Sequence, residues 1–116
     1  MKKLTLLLFL GLLLAGQSFA GDMKTDCGLV VTLLDKYTKH VASAPATTQA
    51  AEEITSEMRA ITKANTVCRL DMAEAVNAGT DAEKAAAVRY EEAIRTRAKM
   101  ALMVCNARQT ELKAEQ

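Results

Sequence analysis

The sequence predicts an all-α fold: a small three-helix bundle made of a long antiparallel helical hairpin and a shorter N-terminal helix. Three observations carry this. Apolar residues recur every third or fourth position through Ile54, Met58, Ile61, Asn65, Cys68, Met72 and Ala75, and again through Ala87, Ile94, Ala98, Ala101, Cys105 and Leu112. Between the two stripes stands a turn, Gly79-Thr80-Asp81-Ala82-Glu83, with the residues that end one helix and start another. No alternating strand pattern is visible.

The first twenty residues have a separate purpose. Met1-Lys2-Lys3 is basic, Leu4 to Ala15 is an almost unbroken apolar run, and Ser18-Phe19-Ala20 places small residues where a signal peptidase reads them. A run of about twelve is short of the ~20 residues that span a bilayer. Residues 1–20 are therefore expected to be a cleaved secretory signal, leaving 21–116 as one helical domain, periplasmic or secreted, with no stable membrane anchor. Gln17 follows Leu13-Leu14-Ala15-Gly16 where a lipoprotein signal would need cysteine, so no lipid anchor is expected.

Removing Lys2 and Lys3 changes 15 basic and 14 acidic residues to 13 and 14, a net charge near −1. Such a balance, with no Trp and only Tyr37 and Tyr90 as aromatics beyond the signal, excludes the basic, aromatic-studded surface of a nucleic-acid binder.

Asp22 to Val41 reads as the first helix, with Cys27, Val30, Val31, Leu34, Tyr37 and Val41 on one side, widened by Leu29 and Leu33. Ser43-Ala44-Pro45-Ala46-Thr47-Thr48 is the connection, and Thr47 or Thr48 can cap the second helix, which runs to about Asn77. Gly79 is expected to adopt the left-handed conformation of a helix terminator. Thr80 and Glu83 form a capping box opening the third helix, Asp81 to near Leu112. Alanines 73, 75, 78, 82, 85, 86 and 87 surround the turn, so that end of the core is expected to be the weaker.

Three cysteines in an exported chain imply one disulfide and one spare thiol. Reflecting the hairpin about Gly79-Thr80 leaves Cys68 and Cys105 some fourteen residues, or ~20 Å, out of level. Reflecting the first helix about Pro45 brings Cys27 within a few residues of Cys68. Cys27–Cys68 is the expected bridge; closing its loop stabilises the fold by roughly 3–4 kcal/mol in the chain-entropy model. Cys105 is left as a buried apolar thiol or an intermolecular bridge.

Catalytic chemistry finds little support. His40 is the sole histidine and is remote in sequence from Cys105; no Cys-x-x-Cys occurs, and Glu52, Glu53, Glu57, Asp71, Glu74, Glu91 and Glu92 read as solvated helix faces. No metal or cofactor is expected, although Met100, Met103 and Cys105 form a soft cluster that would suit Cu(I). Asn65 reads as a register-setting core amide, and Arg95, Arg97 and Lys99 as the one local basic cluster.

By elimination the chain reads as a non-enzymatic protein that binds another protein, as an adaptor, inhibitor or immunity protein, or that self-associates. A holding chaperone and a copper carrier are the alternatives. The first helix is shorter than the hairpin arms and starts its packing near Pro45. The end near Gly79, lined by Met72, Ala75, Val76, Ala87 and Val88, is accordingly the expected partner surface.

Overall fold

Met23, Cys27, Val30, Leu34, Tyr37, Val41 and Ala44 step along the chain by four and three, and all seven are buried. That spacing keeps one stripe of a helix turned toward its neighbours over six turns. In the computed structural model the stripe lies on α1 (Lys2–Ser43) and its exit, followed by α2 (Thr48–Ala78) and α3 (Asp81–Glu115). The structure describes the backbone of residues 2–115 and the side chains of residues 23–115; the export signal read over 1–20 lies outside the described side chains. Among the described residues no helix is long and apolar enough to cross a membrane.

The bundle is all-α, as expected, with α2 and α3 joined by a two-residue turn. α1 is the element both hairpin arms pack against, whereas α2 and α3 touch each other sparingly. The cross-section is flattened accordingly, 32 by 15 Å. The hairpin expected from the two apolar stripes is therefore held together through α1 rather than by direct closure of α2 on α3.

Local chemistry sets the helix ends. The Thr47 hydroxyl accepts from the Ala50 backbone N–H at 3.1 Å, capping α2. At the turn the Glu83 N–H donates to the Thr80 hydroxyl and the Thr80 N–H donates to the Glu83 carboxylate, each at 3.2 Å, so the capping box is formed. Gly79 departs from expectation: its φ of −84° and ψ of 172° are extended, not left-handed. Glycine is favoured there for space, since a Cβ would sit 2.5 Å from the Ala75 carbonyl oxygen, which the Gly79 N–H itself contacts at 2.9 Å.

Cys27 and Cys68 are disulfide-bonded, with Cα atoms 4.7 Å apart and both side chains fully buried. α1 passes unbroken through Gly28, so no bend is needed to bring them together. Around the bridge Met23, Val30, Leu34, Ala64, Met72, Ala75, Ala87 and Ile94 form the larger core. Tyr37, Val41 and Ala101 form a smaller one toward Pro45, flanked by Ile54, Ile61, Val104 and Cys105. The end near Gly79 is thus the better-filled one, contrary to the alanine argument. Met23 supplies the volume the alanines lack, because α1 reaches past the disulfide to that end.

Candidate functional site

Two stripes on each hairpin arm, one residue out of phase, build the site. Against α1, α2 turns Ala50, Ile54, Glu57, Ile61, Ala64, Cys68, Asp71 and Ala75, all buried or half-buried. α3 likewise turns Ala87, Tyr90, Ile94, Arg97, Ala101, Val104 and Arg108. One residue later in sequence is about 100° around a helix. Because α2 and α3 run antiparallel on either side of α1, that rotation carries both +1 stripes to the same face of the molecule. A groove runs along that face.

Its lining follows the phase shift. At the Pro45 end a cavity of about 530 Å³ is bounded by Ala51 and Thr55 of α2, Gln109 and Leu112 of α3, and Val41 and Ala44 beneath them. Next along, about 310 Å³ lies between Met58 and Thr62 on one wall and Ala98, Leu102 and Cys105 on the other, over Leu34 and Tyr37. A further 380 Å³ is lined by Asn65, Arg69, Glu91, Arg95 and Lys99 over Val30 and Leu34. At the Gly79 end, about 440 Å³ lies between Arg69, Ala73 and Val76 on α2 and Val88 and Glu91 on α3. Neighbouring cavities share walls: Cys105, then Ile61 and Leu102, then Arg69 and Glu91.

The residues expected to form a partner surface divide. Val76 and Val88 are exposed, by 54% and 65%, and line the groove. Met72, Ala75 and Ala87 are buried in the larger core, though Met72 and Ala87 touch the groove floor. The correction has one cause: α1, through Met23, covers their inner side. Met58 and Leu102, exposed by 51% and 63%, are groove residues the sequence reading did not single out for binding. Their +1 phase relative to the buried stripe is the signal that finds them.

Charge is unevenly placed along the groove. Arg95 contacts the Glu91 carboxylate at 3.1 Å and Arg69 contacts it at 4.0 Å; Lys99 lines the same stretch. Three cations therefore face one carboxylate. The Asn65 Oδ1 beside them is buried and has no hydrogen-bond partner among the described residues, so Asn65 is a groove-side amide rather than a core one. Arg97, the third member of the basic cluster, turns away to Asp35 of α1 at 3.3 Å.

A second polar group lies deeper. His40 Nδ1 is 3.0 Å from Glu57 Oε1, and its Nε2 is 3.6 Å from Glu53. The Glu57 Oε2 is buried with no hydrogen-bond partner among the described residues. Tyr37 is raised above its ordinary pKa, first by burial, then by the charge of Cys105 and a hydrogen bond to it, and least by Glu57. The imidazole is thus engaged by carboxylates, while the free Cys105 thiol is half-buried against the Tyr37 hydroxyl. Two carboxylates read as solvated are not: Glu57 faces α1, and Asp71 is 2% exposed. Met100 and Met103 stand in solvent, exposed by 55% and 69%, whereas Cys105 turns inward to Tyr37. No group of three or more His, Cys, Asp or Glu side chains that could hold a metal ion occurs among the described residues.

No family model, curated protein or solved structure matches the chain.

Proposed function

We propose that this chain is a small exported helical protein that acts without catalysis, holding a segment of another protein along the open face between α2 and α3. The observation that carries the reading is the groove itself, which runs from Leu112 to Val88 on α3 and keeps Met58, Val76, Val88 and Leu102 in water. Large apolar side chains aligned along one concave face mark an interaction surface. Export is supported by Lys2-Lys3, the Leu-rich run and Ser18-Phe19-Ala20, and the buried Cys27–Cys68 bridge fits an oxidising compartment.

Leu102→Glu tests the binding reading. The side chain is mostly exposed, so the variant should melt within about 0.5 kcal/mol of wild type while losing partner recovery from envelope extract. Undiminished recovery would contradict the reading. For export, the intact mass of protein recovered from its native envelope should begin at Gly21; a mature species that retains residues 1–20 would contradict it.

A further inference from the structure

Resting on that protein-binding reading, we infer that the groove takes one amphipathic helix of a different protein, about seven turns long, with acidic side chains at its middle. Length is set by the walls. α2 contributes from Ala51 to Val76, 25 steps of 1.5 Å or ~38 Å, and α3 contributes a closely matching stretch from Leu112 back to Val88, 24 steps or ~36 Å. Both walls present residues at alternating spacings of three and four, the pattern that receives the side chains of a helix laid between them. With α1 beneath, the guest completes a four-helix arrangement.

The charge of the groove selects the guest. Arg69, Arg95 and Lys99 face a single acid, Glu91, and two cations are left in excess. A carboxylate on the guest at this level meets them, and apolar side chains before and after it meet Leu102 and Met58 on one side and Val76 and Val88 on the other. A second copy of this chain is the poorer occupant. Two grooves facing each other about a two-fold axis at the midpoint bring Lys99 of each copy against that of the other, and lay Arg69 and Arg95, some five residues or ~8 Å off the midpoint, on the apolar level of Met58 and Cys105 with no counter-charge. Like charges brought together while losing water oppose that pairing.

The test uses the full mature chain and three fluorescent helical peptides of about 25 residues: one with Leu at the groove-facing positions and Glu at the two central ones, a second with Lys at those two, and a scrambled control. By fluorescence anisotropy at low salt the Glu peptide should bind at least about tenfold tighter than the Lys peptide, and the difference should shrink as salt is raised. Arg95→Glu combined with Lys99→Glu changes two exposed side chains and should invert the preference, with circular dichroism and the disulfide unchanged. Equal binding of the two charged peptides, binding of the scrambled control with them, failure of both to bind, or a preference the double variant does not invert would each overturn the acidic-helix inference. Sedimentation showing a dimer that Leu102→Glu dissolves would overturn it in favour of a second copy. If Leu102→Glu abolishes partner recovery while charge reversal leaves it intact, the groove binds protein but not by this chemistry; if neither changes recovery, the protein-binding reading fails as well.

Discussion

Tyr37 packs at 8% exposure beside Cys105, so the folded chain favours its neutral phenol and its pKa lies above the ordinary 10.0. The unfolded chain gives up that proton near pH 10 while the folded one resists, and stability that is whole below pH 10 is lost as pH rises through the folded value. Tyr37→Phe should therefore flatten the alkaline fall in the urea midpoint between about pH 9 and pH 11. Parallel loss in both proteins would assign the alkaline sensitivity to other groups. Gly79 poses a different residue-scale question, because its backbone is extended and its constraint is the Ala75 carbonyl. Thr80→Ala should cost about 1 kcal/mol through the lost cap. Gly79→Ala, which forces a Cβ against main chain, should cost more than that. A Gly79→Ala midpoint equal to wild type would show that the turn relaxes freely.

Among the elements, α1 has the central position: its buried stripe is shared by both arms, and the arms hardly meet without it. Leu34→Ala, at 6% exposure on that stripe, should cost about 2–5 kcal/mol, whereas Leu29→Ala, half exposed on the same helix, should stay within about 0.5 kcal/mol. Similar melting losses in the two variants would contradict the assigned face. Three helices, the Thr47 cap, the Thr80–Glu83 box and the Cys27–Cys68 pairing were legible in the sequence, because N-capping chemistry is local and antiparallel helices match levels by counting residues. The phase was not. The stripe read on α2 through Met58, Asn65 and Met72 merges two neighbouring stripes, one facing α1 and one facing the groove, and apolar periodicity alone does not separate faces 100° apart. Glu57 and Asp71 occupy positions of the inner stripe, so a reading that sorts by polarity sends them to water. Sequence periodicity leaves Met72, Ala75 and Ala87 on an open end, because the reach of α1 to Met23 depends on how the three helices stack, which no local pattern encodes.

For the molecule as a whole, the open side of the hairpin is what distinguishes it from a closed bundle. A three-helix core closes when each helix touches the other two; here one contact is thin, and the gap is lined at regular helical spacing over the full length of the arms. Leu102 and Met103 allow a direct test, being adjacent and similarly exposed, by 63% and 69%, while only Leu102 lines the groove. A photo-crosslinking side chain placed at each position in turn, and activated in the native envelope, reads the bound face without disturbing the fold. A discrete covalent adduct to another protein is expected from position 102 and none from position 103. Equal adducts from both, or an adduct from position 103 alone, would contradict the groove-binding reading.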